Sequence, residues 1–395
     1  MLQPRTFPVG IGLLFSSLVL FLIYSPNPHS LGEYPSQVIN SYTKITTSTA
    51  DTEPLINGTL GFERVFAVGL SERSDKRDAL ALISSLTDFK IDWIEGVRGE
   101  TVVDKALPFG VDRVKLWENN VGSWRGHMNA IRTQVDSPSP LPAANKIRRI
   151  VEQGIATALI MEDDMDWDVR LKSQLQLIAR GTQTLQGSNS QTSDSPYGDD
   201  WDLIWLGHCG EVFPEQLEEN ISKAPESTEY ISLATKYTIH EDPTVPAPSH
   251  TSGFQNFTAS PHTRWVHVTG GPICTFAYAL SLEGARKVLF DLSVDHLVGP
   301  FDNALAGLCR WGRERERLGM RCYSVTPPVF VHHKSKGYVS GDSDIQLVGG
   351  GGKGELREVG STENIVWSAR RSVRELIMGE DMHSQFDEEE QEEEQ

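Results

Sequence analysis

The chain has 395 residues, 38% hydrophobic and 23% charged, a balance that excludes a disordered or multiply membrane-spanning protein and leaves room for one large α/β domain with appendages. Its formal charge of -18 argues against a nucleic-acid binder, which needs a surplus of Lys and Arg. About half of that excess is local: from Glu380 to the end there are nine acidic residues and no Lys or Arg, so 380–395 reads as a solvated, disordered tail.

In chain order, residues 1–6 form a short cytosolic tail, and residues 7–24 are uncharged and dominated by Leu, Val, Ile and Phe, long enough for one transmembrane helix. Arg5 precedes that run and the next basic residue is Lys44, which orients the remainder to the far side of the membrane. A cleaved signal peptide is the alternative. Residues 25–60 are rich in Pro, Ser, Thr, Asn and Gly and read as a flexible stem. Asn-x-Ser/Thr acceptors at Asn57, Asn220 and Asn256 fit a lumenal address in the Golgi or ER. The folded part is expected over 61–379, with loops inserted at about 136–144, 182–200 and 241–262.

Within it, 64–70 (RVFAVGL) reads as a buried strand followed by an amphipathic helix over 76–86. Residues 158–161 (ALIM), 203–206 (LIWL), 274–280 and 321–325 repeat the strand signature, and Ser281 is a candidate N-cap for the helix after the fourth strand. This alternation predicts an α/β fold with a mostly parallel sheet and helices on both faces, in which ligands gather at the carboxyl ends of strands. Cys209, Cys274, Cys309 and Cys322 lack zinc spacing; they are either buried thiols or one or two disulfides, whose pairing the sequence does not choose.

Directly after ALIM come Glu162, Asp163 and Asp164, with Asp166 beyond. Carboxylates emerging together at a strand end repel one another unless a cation compensates, which points to Mn²⁺ or Mg²⁺ bridging a diphosphate; an acidic helix N-terminus is the plainer alternative.

The stretch LIMEDDMDWD resembles the strand and acidic motif of glycosyltransferase family 25, and further blocks follow in the family's order: VFAVGLSERSDKRDAL, GSWRGHMNAI, DWDLIWLG, TFAYALSLEGARKVL, PFDNAL and GMRCYSVTPP. Gly69 stands where the family usually has Asn, and Arg98 where an acid is common. The resemblance implies a GT-A-type fold and inverting transfer of a sugar, galactose being the best-known case, from a UDP-sugar to a hydroxyl of a glycan, glycoprotein or lipid. It implies a metal or diphosphate role for Glu162, Asp163 and Asp164. A late His, taken as His333, joins the metal, and Lys334 or Lys336 meets the diphosphate; Arg73, Arg77 and His127 serve the donor. Asp302, in the PFDNAL block, is the expected base, with Asp166 as the fallback. A non-catalytic lumenal carbohydrate-binding relative and a nucleotide-sugar hydrolase are the rival readings.

Overall fold

The computed structural model describes residues 57–136, 154–187, 193, 195–251, 261–313, 317–339, 342–345 and 355–386. Hydrophobic alternation in the central strands builds a three-layer arrangement. In β1 (Arg64–Gly69), β3 (Thr157–Glu162), β5 (Leu203–Gly207) and β8 (Ala277–Ser281), successive side chains enter opposite cores, as a period of two requires. Val65, Ala67, Leu159, Met161, Ile204 and Leu206 meet α1 (Ser74–Leu86) and a second helix, Leu171–Leu185. Phe66, Ala158, Ile160, Leu203 and Trp205 meet α2 (Glu118–Asp136) and two later helices, Leu282–Leu289 and Phe301–Trp311. The element Leu171–Leu185 is α3, and the two later ones are α4 and α5. Ser281 caps α4 as its position suggested, its Oγ accepting from the Gly284 amide.

With β2 (Asp92–Glu95), β6 (Lys236–Ile239), β7 (Arg264–Val268) and β9 (Cys322–Thr326), the main sheet runs β2-β1-β3-β8-β5-β9-β7-β6. This corrects the expected mostly parallel sheet. The pairs β1/β2, β1/β3 and β5/β9 are parallel, whereas β3/β8, β5/β8, β7/β9 and β6/β7 are antiparallel. The physical reason lies in β8, which enters from the edge at which β5 leaves, Gly207 pairing with Ala277, and therefore runs back down between β3 and β5. A smaller sheet places β10 (Phe330–Lys334) antiparallel to β4 (Met165–Trp167) and to Ser361–Thr362.

The expected single transmembrane helix is unsupported: among the described residues no helix is long and apolar enough to cross a membrane. The run at 7–24 lies outside the described residues, as do 25–56 of the stem, 137–144 of the first insertion and 387–395 of the tail. Residues 182–185, assigned to a loop, complete α3 instead. The loop at 241–262 is described at its two ends, and 252–260 lie outside. At the far end of the chain Gln385 still donates to the carbonyl of Thr362, and Phe386 stacks on His250, so the folded body reaches past 379.

Both cysteine pairs are disulfides: Cys209–Cys274, which joins the end of β5 to the approach to β8, and Cys309–Cys322, which joins α5 to β9. Of the glycosylation acceptors, Asn57 is exposed, whereas Asn220 is buried and its amide donates to the Pro214 carbonyl. Asn256 lies outside the described residues.

Candidate active site

The carboxyl ends of β1, β3 and β5 lie on one edge of the sheet, and the acidic run leaves β3 there. Gly69 ends β1 opposite it. A Cβ at Gly69 would fall 2.3 Å from Asp163 Oδ2, so the absence of a side chain at 69 is what admits the Asp163 carboxylate.

The first turn of α1 supplies the counter-charge. Lys76 is 5% exposed, and its Nζ lies 2.9 Å from Asp164 Oδ2, 3.4 Å from Asp163 Oδ1 and 2.7 Å from Asp344 Oδ2. Arg73 donates to the same Asp344 and to Asp75. Sequence reasoning named Arg73 and Arg77 and passed over Lys76, although Lys76 lies three residues after Arg73 and shares its helix face. Arg77 braces the neighbouring strands instead, donating to the Gly69 carbonyl and to Glu95, with its guanidinium 4.8 Å from the Trp93 ring centre.

The three acids differ in charge state. Burial, reinforced by repulsion from Asp164, pushes Glu162 and Asp163 well above the ordinary carboxylate range. Burial acts on Asp164 in the same sense but is outweighed by His332 and Lys76, which hold it ionised. Glu162 accepts a hydrogen bond of 3.0 Å from Thr275 Oγ1 and lies 3.9 Å from His127 Nε2.

Strand β10 decides which late histidine faces the acids. Its alternation puts His332 Nε2 3.4 Å from Asp164 Oδ2 and turns His333 away, to a 2.7 Å hydrogen bond between Nδ1 and Thr362 Oγ1. The acids are thus faced by His332 and not by His333, the residue expected at the metal. Asp166 is likewise placed elsewhere. It is fully buried and accepts from Thr362 Oγ1, from Ser368 Oγ and from the amides of Trp167 and Arg370, leaving it a structural tie between β4 and the C-terminal segment. Lys334 pairs with Glu363, and Lys336 is exposed. Among the described residues, the side-chain nitrogens within 4 Å of the three acids' carboxylates belong to Lys76, His127 and His332.

Asp302, in the first turn of α5, does reach this edge. Its Oδ2 accepts from the Cys274 amide at 3.0 Å, while the next residue, Thr275, holds Glu162. Consecutive Cα atoms are about 3.8 Å apart, so the two carboxylates hang from adjacent links of one chain. The disulfide from Cys274 to Cys209 pins that link to the end of β5. His127 lies beneath, with Nδ1 3.1 Å from Tyr278 Oη and its ring 4.8 Å from that of Phe301. Desolvation lowers its pKa to about 3, so it is a neutral floor under Glu162.

A metal at this cluster needs ligand atoms that the protein leaves unsatisfied. Asp164 Oδ1 qualifies, being buried without a hydrogen-bond partner, and His332 Nε2, which faces Asp164 Oδ2 at 3.4 Å, could join it only by giving up its proton. Asp163 is engaged by Lys76, and among the described residues three ligand atoms converge within 4.8 Å only at Asp291, Asp295 and His296, away from the acidic run. The fit is thus to Asp164 and His332, with remaining positions left to water and a bound phosphate, a mode open to Mg²⁺-like ions.

Beside the site is a second buried acid that the sequence did not reveal. Glu211 Oε1 accepts from the Gly270 amide at 2.8 Å, Oε2 lies 3.6 Å from His208 Nε2, and burial pushes its pKa up to about 8. The folded chain therefore holds a proton that an unfolded Glu, near 4.5, releases. This contribution is full below about pH 4.5 and is lost as pH rises toward about 8, at up to about 1.4 kcal/mol per pH unit. Glu211→Gln keeps the acceptor oxygen and removes the titration, so its stability is expected to fall less than the parent's between about pH 5 and about pH 8. Denaturant midpoints at the two pH values test this; equal losses would contradict a protonated Glu211.

No family model matches the chain. Over 236 residues it is 22% identical to procollagen galactosyltransferase 1-A of Xenopus laevis, an alignment covering 58% of this chain and 28% of that protein. The chain thus spans less than a third of the length of the curated relative it matches. The similarity supports at most a galactosyltransferase-like kinship, the broader part of what the motifs implied.

Proposed function

We propose that the chain is an inverting hexosyltransferase that moves galactose from UDP-galactose to an acceptor hydroxyl. The observation that carries the reading is the convergence, at one sheet edge, of an ionised Asp164, the buried ammonium of Lys76, the guanidinium of Arg73 and, one chain link away, Asp302. Cationic groups at a strand end suit a diphosphate, and a carboxylate beside them suits a base.

In this reading Asp302 takes the acceptor's hydroxyl proton as the acceptor oxygen bonds to the anomeric carbon. The bond from that carbon to the β-phosphate oxygen breaks, and its electron pair leaves with UDP. Lys76 and Arg73 face the charge that develops there; in the free protein the Asp344 carboxylate occupies the position between them that an anionic phosphate would take. Asp164 and His332 would hold a divalent cation, Mn²⁺ or Mg²⁺, which would add Lewis-acid stabilisation of the leaving group. His127 and Tyr278 keep the floor dry and neutral. The two disulfides favour an oxidising compartment, such as the lumen of the ER or Golgi.

The test is UDP release from UDP-galactose with Mn²⁺, with and without a panel of glycan, glycopeptide and lipid acceptors, repeated after chelation. Acceptor-dependent release that chelation lowers by about 100-fold or more is expected. Release without acceptor identifies a hydrolase, and no release under any condition identifies a non-catalytic binding protein.

A further inference from the structure

Next to Asp302 is a cavity of about 190 Å³. One wall is the loop Gly271, Pro272 and Ile273; the other is α5, through Asn303, Gly307, Arg310 and Trp311. Drug-sized ligand sites run to about 300–1,000 Å³, so this space suits a single small ring.

Its two walls are chain neighbours of the proposed chemistry. Asn303 follows Asp302, and Ile273 precedes Cys274, whose amide Asp302 accepts. The loop is fastened at three points: the Cys209–Cys274 disulfide, backbone bonds from the Ile273 amide to the Gly210 carbonyl and from the Cys209 amide to the Ile273 carbonyl, and Glu211 on the Gly270 amide. Val212 O would lie 1.8 Å from a Cβ at Gly270, so the loop approaches too closely to carry a side chain there. The cavity is therefore preformed.

Its chemistry is mixed. Trp311 lies back along the helix over Gly307, where a Cβ would come within 2.9 Å of its ring, yet the residue remains 57% exposed. Arg310, held by Glu219, has its guanidinium 5.3 Å from the Trp311 ring centre. A large exposed aromatic surface beside an amide and a guanidinium matches a pyranose, whose C–H face is apolar and whose rim carries hydroxyls. A lipid chain would leave the Asn303 amide unmatched, and a peptide side chain would leave the tryptophan face largely uncovered.

We propose that this cavity binds the sugar ring of the acceptor, with the Trp311 ring against its C–H face, Asn303 and Arg310 reading its hydroxyls, and the reacting hydroxyl directed toward Asp302. The proposal rests on the transferase reading for its place in the reaction, but its test is of binding alone. Methyl β-galactopyranoside, methyl β-glucopyranoside and methyl β-xylopyranoside are titrated separately into the full chain, followed by ligand-observed magnetisation transfer and calorimetry.

At least one is expected to bind with a Kd of order 1 mM, weakened about tenfold in Trp311→Ala and in Asn303→Ala and only a few-fold in Trp311→Phe. Unfolding midpoints matching the parent's identify the variants as folded, and Trp311→Phe keeps the comparison open should Trp311→Ala fail. Absence of binding by all three glycosides, binding that neither variant weakens, or displacement of the glycoside by a short hydroxyl-bearing peptide would each overturn the proposal. Failure of galactose transfer with glycoside binding intact would count against the transferase reading instead.

Discussion

Lys76→Met is expected to lower the stability of the folded chain by about 3–5 kcal/mol, the cost of leaving a buried charge without its partner. The ammonium lies within 3.4 Å of two carboxylates of the acidic run and 2.7 Å of Asp344, and it is nearly inaccessible to water. Burial alone would lower its pKa, but Asp164 and Asp163 reverse that, so it is held protonated. Methionine preserves most of the side-chain volume, which confines the loss to charge. A proton can partly replace the ammonium, so the deficit should be smaller at about pH 5 than at about pH 8. A divalent cation can replace it too. The variant's unfolding midpoint should therefore rise with added Mn²⁺ far more than the parent's, because a ligand that binds only the folded state stabilises it by mass action. A variant as stable as the parent in chelator would mean that the acids have another counter-charge, and the account of this site would fail.

That experiment bears on what the sequence made legible. Acidic residues at a strand end announced a need for positive charge, and the strand itself was plain from its four apolar residues in a row. The sequence did not say which cation answers. A metal was the economical reading because Lys76 is separated from Asp163 by 87 positions and only the parallel pairing of β1 with β3 brings the turn after β1 against the turn after β3. The sequence does not separate His333 from His332, because adjacent residues in a strand point to opposite sides and the phase of that alternation is set by the partner strand, here β4. Asp166 looked available because its four hydrogen-bond donors come from nearby Trp167 and from Thr362, Ser368 and Arg370, about two hundred positions on. The parallel sheet failed for a similar reason: a buried antiparallel strand such as β8 is as uniformly apolar as a parallel one, so composition does not reveal its direction. Asp302, by contrast, is singled out by its motif alone, and the fold brings it to the same edge.

Asp302→Asn is expected to reduce acceptor-dependent UDP release by about 10²–10⁴-fold, the range for loss of a positioned general base. Asparagine retains a side-chain oxygen for the Cys274 amide, so the loop, the disulfide and the cavity beside it should persist. The loss should accordingly appear in kcat with little change in KM for the donor, since in the proposed reading the donor's diphosphate is met by Arg73 and Lys76. Asp166→Asn supplies the contrast. Thr362 and Ser368 both donate hydroxyl hydrogens to Oδ2, so the NH₂ of Asn would meet two donors that must turn away before they can accept. That variant is expected to lose about 1–3 kcal/mol of stability while the folded fraction turns over at close to the parent's rate. Should Asp302→Asn transfer at the parental rate, or should Asp166→Asn abolish turnover without destabilising the chain, the two carboxylates would have to exchange roles. Proton transfer would then have to pass through a fully buried group fastened by four hydrogen bonds, whereas the Asp302 carboxylate is tied to the rim of the site through the Cys274 amide.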